Sequence, residues 1–219
     1  MPRLLFEKTG NAVWISHLDL MRVFQRSFKR AGLPLTHTQG FNPRPSVSIA
    51  LPLSVGVQSH CELLDFDLDG ETVPCQQIME RLNCCLVEGV RVLAVYDVGR
   101  KLRDLSLLQC RIALQYENTV SAEDVALISS LFDTDALVVP KKTKNGMQDQ
   151  NIIPMIRNLR VSLAEDRCVM MDAVICCQNP TLNPAQLVAA ISINLPQLQP
   201  VSSRISRVEI FDNNEDIFR

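Results

Sequence analysis

Apolar and polar positions along the chain fall into short alternating runs broken by longer helical ones. "PRLLFEKT" is short and apolar-rich and ends at Thr9-Gly10-Asn11, a turn signal. It predicts a strand, with "AVWI" as a second short strand after the turn. Ser16 is placed to cap a helix, and Asp19 sits three residues on at the capping-box position. That helix is predicted to run to about Ala31, where Gly32 and Pro34 stop it. "SVSIALPL" and "CELLDFDLDG" follow as strands. In the second, Leu64, Phe66 and Leu68 alternate with Asp65, Asp67 and Asp69. "VPCQQIMERLNCCL" reads as a helix with Ile78, Leu82 and Cys85 on one face, and "RVLAVYDV" as a strand.

After the connector "GRKLRDLSLL" the order repeats. "QCRIALQY" is a strand. "SAEDVALISSLF" is a helix capped by Ser121, with Asp124 at its capping-box position. "DALVVPKK" is a strand and "NGMQDQNI" a polar turn. "IRNLRVSLAED" and "RCVMMDAVICC" form a strand pair, "NPAQLVAAISI" a helix, and "SRISRVEIFD" a last strand. Strand, helix, strand, strand, helix, strand is the split βαβ arrangement of the ferredoxin-like fold. The expectation is an α+β protein of two tandem ferredoxin-like domains, residues 1–98 and 107–219.

Composition narrows the class without naming a function. The 219 residues are 47% hydrophobic and 21% charged, with a net charge of −2, as in an ordinary globular protein. The distribution of charge is less even. Residues 1–50 carry seven Lys/Arg and two acids, a net of +5, whereas residues 51–99 carry two Arg and eight acids, a net of −6. A local basic surface is therefore compatible with a nearly neutral sum. The eight cysteines show no Cys-x-x-Cys spacing and lie mostly in apolar runs. They read as buried free thiols in a reducing cytoplasm rather than disulfides or zinc ligands. No metal or cofactor site is expected. The N-terminal apolar run is too short for a signal peptide, and no run approaches the roughly 20 apolar residues of a membrane span.

The first helix concentrates the candidate chemistry. At about 100° per residue, Leu20, Met21, Val23, Phe24, Phe28 and Ala31 share a broad face for packing on a sheet. Arg22, Arg26, Lys29 and Arg30 fall on the other, with Asp19 at its head. This is either a solvated polar face or an anion-binding surface. Four cations with one acid favour the second, because a face serving solubility mixes signs, and guanidinium matches phosphate as a bidentate fork. His17, roughly opposite that stripe, is a structural residue or a general acid–base candidate alongside Asp19. Ser16 reads as a cap rather than a nucleophile, and His37 and His60 stand alone. The loop "THTQGFNPRPS" combines Gly40 with two prolines and presents Phe41, Asn42 and Arg44 stiffly. Phe41 either plugs the core or stacks on a base, with Arg44 meeting a phosphate. The loop is no P-loop, because the Gly-Lys-Ser/Thr ending is absent. "PKKTKNG" is a second basic segment, either a soluble turn or an extension of an RNA path.

The stretch from "ISHLDLMRVFQRSFKRAGLPLTHTQGFNPRPSVSIALPLSVG" to "CELLDFDL" resembles the signature of the radical SAM-linked proteins, a bacterial family. The matching residues over positions 3–68 are Ser16, His17, Leu18, Asp19, Arg22, Arg26, Arg30, Ala31, Pro34, Gly40, Phe41, Asn42, Pro43, Pro45, Pro52, Leu53, Gly56 and Glu62. A looser match follows at "QDQNIIPMI", through Asp149 and Pro154. Many members carry His where this chain has Arg44. The resemblance implies a partner, a cobalamin-type radical SAM protein, more than a reaction. The chain itself lacks the Cys-x-x-x-Cys-x-x-Cys that holds a radical SAM cluster. A fold-level analogy to the repeat-processing endoribonucleases of CRISPR systems would make His17 the catalytic residue, but their C-terminal glycine-rich loop is missing here. Three readings follow, in this order: a non-catalytic accessory that binds rRNA or tRNA for the radical SAM partner, a purely protein-binding module, and an RNA-cleaving enzyme using His17.

Overall fold

The computed structural model describes residues 1–70, 72–143 and 146–219, with residues 142 and 143 described by backbone alone. The protein is a mixed α+β molecule of two compact units, Met1–Asp104 with Phe218–Arg219, and Leu105–Ile217. No helix among the described residues is long and apolar enough to cross a membrane.

The first unit contains β1 (Arg3–Lys8), α1 (His17–Arg30), β2 (Val47–Ile49), β3 (Gln58–Phe66), α2 (Cys75–Asn83) and β4 (Val90–Tyr96). Its strands lie in the order β4-β1-β3-β2, and every neighbouring pair is antiparallel. The helices cover one face. Leu4 and Phe6 of β1, Leu64 and Phe66 of β3 and Val92 of β4 meet Leu20, Phe24 and Phe28 of α1 and Ile78 and Leu82 of α2. Phe6 and Phe24 meet edge-on with ring centroids 4.7 Å apart, and Phe28 lies against Phe66 at 5.1 Å. Each such side chain gains roughly 1.5–3 kcal/mol from leaving water.

Two buried cations organise the rest of this unit. Arg3 is 2% exposed and holds Asp65 through two bonds, Nε to Oδ1 at 2.6 Å and Nη2 to Oδ2 at 3.0 Å. Its guanidinium also lies 5.5 Å from the ring centre of Phe218. A Cβ on residue 99 would overlap that guanidinium, so Gly99 leaves room for it in this position. Lys8 is fully buried and donates from Nζ to the carbonyls of Val13 (3.1 Å) and Ile15 (2.7 Å). Those carbonyls are why "AVWI" is not the expected strand. Gly10 turns the chain at φ +54°, Ala12 packs into the core, and residues 10–14 coil as a 3-10 turn around the lysine. β2 is also shorter than expected, because the chain leaves the sheet after Ile49, shortly before Pro52. Cys85 lies beyond the last turn of α2.

The second unit contains β5 (Leu105–Gln115), α3 (Ala122–Phe132), β6 (Val138–Thr143), β7 (Gly146–Asn151), β8 (Ile156–Glu165), β9 (Cys168–Cys176), α4 (Pro184–Asn194) and β10 (Ser202–Asp212). Four strands form an antiparallel sheet in the order β10-β5-β9-β8. β5 starts at Leu105, so the end of the expected connector is strand. Ser121 caps α3 through a full capping box, and its backbone N–H holds the Asp124 carboxyl below the usual carboxylate range. The segment "NGMQDQNI", expected as a turn, supplies β7, which pairs with β6 as a separate hairpin. Val139 and Ile152 of that hairpin region are fully buried, and β6 packs on α4. That cover accounts for a helix apolar on several faces, since a helix buried on one side alone would show a single stripe.

Candidate functional site: a cationic trough along α1

Helix α1 starts as its sequence requires. Ser16 Oγ accepts the Asp19 N–H at 3.2 Å and donates to Asp19 Oδ2 at 2.7 Å. Leu20, Phe24, Ser27 and Phe28 then face inward. One flank, the row His17, Met21, Gln25 and Lys29 at four-residue spacing, is left facing the chain that returns from the helix. That chain leaves at Gly32 (φ +67°). Thr36 fixes it to Asp67 twice, by N–H to the carbonyl at 3.0 Å and by Oγ1 to Oδ2 at 2.9 Å. The following loop closes on itself. Thr38 N–H donates to the Arg44 carbonyl at 2.8 Å, Arg44 N–H to Thr38 Oγ1 at 3.0 Å, and Ser46 N–H to the Thr36 carbonyl at 2.8 Å.

Between α1 and this loop runs an open trough made of two adjoining cavities. One, of about 550 Å³, is lined by His17, Leu18, Met21, Arg22, Arg44 and Val47. The other, of about 420 Å³, is lined by Lys29, Gly32, Leu33, Pro34, Leu35 and His37. Gln25 and Pro45 border both. From His17 to Lys29 the helical rise gives the lined flank a length of about 18 Å. Among the described residues, three Lys/Arg side chains and no Asp or Glu line the trough.

The arginine stripe expected from the helical wheel therefore divides. Arg22 borders the trough while pairing with Asp19 (Nη1 to Oδ1, 2.8 Å), and Lys29 lines the second cavity. Arg26 is exposed but lies off the lining, about 180° around the helix from His17. Arg30 is a staple, donating from Nη2 to the Cys85 carbonyl beyond α2 and to Ser27 Oγ at 3.3 Å. Arg44 lines the first cavity together with Arg22. Phe41 and Asn42 sit at the exposed loop tip, and Phe41 is 102% exposed, so it does not plug the core.

His17 is not opposite the arginines but shares the trough with Arg22 and Arg44, and its Nδ1 is buried without a hydrogen-bond partner. Asp19, two residues on, is turned away by about 200°. Its carboxyl is held below the ordinary range by Ser16 first and Arg22 second, so it forms no dyad with His17. His37 lines the trough, and His60 lies 3.3 Å from Glu7 on the sheet. Lys144 and Asn145 of "PKKTKNG" lie outside the described residues. Sequence reasoning missed Met21, Gln25, Pro45 and Val47 as lining. The available signal was the four-residue row from His17 to Lys29, which puts a polar Gln25 amid residues assigned to packing.

All eight cysteines are free. Five are buried, Cys75 and Cys85 are half-buried, and Cys84 is exposed. Burial pushes the Cys110 and Cys177 thiols up to about 12. Burial and then the hydrogen bond to Asp97 push Cys75 up to about 11. These three stay protonated at neutral pH and are poor nucleophiles. Among the described residues, no three His, Cys, Asp or Glu side chains are grouped to hold a metal ion.

Comparison with known proteins adds a family and a fold. No curated protein matches the chain. A chain of a Cbf5-Nop10-Gar1 complex is similar in fold, with a TM-score of 0.56 and 7% identity over 95% of this chain and 48% of that one. This chain thus spans about half the length of that neighbour, and at such identity the likeness concerns fold alone. An unknown protein from Galdieria sulphuraria aligns over 94% of this chain and 97% of its own at 9% identity, with a TM-score of 0.27. Residues 2–184 match the family described as an uncharacterized protein conserved in bacteria, DUF2344, and the chain belongs to that family.

Proposed function

We propose that this protein is a non-catalytic accessory that binds RNA along the α1 trough and presents it to a partner, which the sequence resemblance suggests is a radical SAM enzyme. The observation that carries the reading is the lining itself: Arg22, Lys29 and Arg44, no Asp or Glu among the described residues, and an apolar floor of Met21, Leu33, Leu35 and Val47. Such a surface suits a chain of phosphates with bases between them. The trough is longer than a single small anion needs. Each unit is read as ferredoxin-like. The split βαβ element order and the strand orders β4-β1-β3-β2 and β10-β5-β9-β8 support that, with the β6–β7 hairpin as an insertion. Eight free thiols suit the reducing cytoplasm.

RNA cleavage is the weaker alternative, because no carboxylate among the described residues lines the cavity beside His17 and Asp19 is already engaged. A protein-binding role has its own support. Trp14 is 70% and Leu18 68% exposed, and Val55 adjoins Gly56, which packs beneath Trp14. This apolar end of α1 suits docking of the partner enzyme. The test is filter retention of total cellular RNA by the wild type, Arg22→Ala/Arg44→Ala and Trp14→Ala. The proposal expects the double variant to lose RNA and Trp14→Ala to keep it while losing the radical SAM partner in a pull-down. Equal retention by all three proteins overturns the RNA reading, and RNA cleavage that His17→Ala abolishes would replace it with the enzyme.

A further inference from the structure

We infer that the Gly32–Pro45 end of the trough is a pocket for one unstacked base, which makes the ligand single-stranded rather than duplex RNA. The inference rests on the RNA reading above and specifies what that site selects.

The two cavities differ in chemistry. Arg22 and Arg44 both line the first. The second is walled by Leu33, Pro34, Leu35 and Pro45, with Lys29 at its edge. A site that met only phosphate would not need an apolar chamber of about 420 Å³ in line with its cations. A base supplies the matching flat, weakly polar body, and the phosphates on either side of it reach Lys29 and the Arg22–Arg44 pair. In a duplex the base faces are stacked and the edges paired, so they cannot enter a concave apolar chamber. A loop or single strand offers them freely.

Two polar side chains are placed to read the base. Gln25 borders both cavities, and its amide offers donor and acceptor together. His37 lines the chamber and supplies a ring for stacking. Neither side chain has a hydrogen bond among the described residues. The chamber is also held in shape before any ligand arrives. Gly32 takes φ +67°, Leu35 bridges Leu68, and His37 pairs with Pro45 across the loop. Binding therefore pays little ordering cost.

The experiment is fluorescence anisotropy of the full-length protein with four probes at one salt concentration. They are a labelled single-stranded RNA of about eight nucleotides, the same strand with abasic positions, a blunt duplex of the same sequence, and inorganic polyphosphate. The single strand is expected to bind at least about tenfold tighter than the duplex and the abasic strand, the lower range for loss of one base contact. His37→Ala and Gln25→Ala, at partly or fully exposed positions, should each weaken the single strand several-fold and leave polyphosphate unchanged. Lys29→Ala should weaken both. Equal binding of single strand, duplex and abasic strand would overturn the base pocket and leave a trough that recognises phosphate alone. Binding of none of the four would overturn the RNA reading itself.

Discussion

Replacing Arg22 and Arg44 together by alanine removes two of the three Lys/Arg side chains that line the trough among the described residues, Lys29 being the third. The consequence can be worked out before any complex is seen. Each phosphate neutralised on a single strand contributes about 0.7 to the slope of log affinity against log salt. Three contacts give a slope of about −2, so raising salt from about 50 to about 200 mM weakens binding about 18-fold. With Lys29 alone the slope falls to about −0.7, and the same step costs about 2.6-fold. Arg26→Ala/Arg30→Ala is the matched control, since it removes the same amount of charge, both from α1 but off the trough. Its slope stays near the wild-type value. It does cost stability, because the Arg30 bonds to the Cys85 carbonyl and Ser27 are lost, at about 1 kcal/mol. The assay is anisotropy of a labelled single-stranded RNA at several salt concentrations, with thermal melts of each variant. Equal reductions of slope in both double variants would refute the reasoning, because charge would then act through the general field and not through contacts in the trough.

Three further outcomes test the frame that holds the site. Phe24→Ala, removing a fully buried ring set edge-on to Phe6, should cost about 3–5 kcal/mol in urea unfolding, and a loss under about 1 kcal/mol would contradict the packing. Asp65→Asn leaves the buried Arg3 guanidinium without its carboxylate and should cost about 3 kcal/mol; an unchanged melting temperature would show the pair to be idle. The Cys75 thiol, held neutral up to about 11 by burial and by Asp97, should alkylate slowly at neutral pH and faster as pH rises. Asp97→Asn keeps an oxygen acceptor but removes the negative charge that favours the neutral thiol, so alkylation should begin at lower pH; an identical pH profile would contradict that role.

Much of the frame was legible because it is local. Ser16 with Asp19, Ser121 with Asp124, and the helices they cap follow from side chains three residues apart. Alternation marked β3, and short apolar runs marked β1, β4 and the β8–β9 pair. What escaped depends on contacts distant in sequence. "AVWI" looks like a strand until the buried Lys8 is seen to gather the carbonyls of Val13 and Ile15. "NGMQDQNI" is polar enough for a turn, yet β6 is there to pair with it. The site was half legible. A helical wheel separates charged from apolar positions but does not show which flank another segment will cover. It thus grouped Arg30, which is tied to α2, with Arg22, and it assigned Met21 to packing alone. The loop's stiffness was readable from Gly40 and the prolines. Its folding back against α1, which creates the trough, rests on Thr36 and Asp67, 31 positions apart.

The measurement that bears most directly on the central claim is photo-crosslinking of the full-length protein to a 4-thiouridine RNA, with the linked peptides mapped by mass spectrometry. The account predicts crosslinks in residues 17–29 and 34–47, lost on addition of unlabelled single strand. Crosslinks confined to residues 105–217, or none, would contradict it.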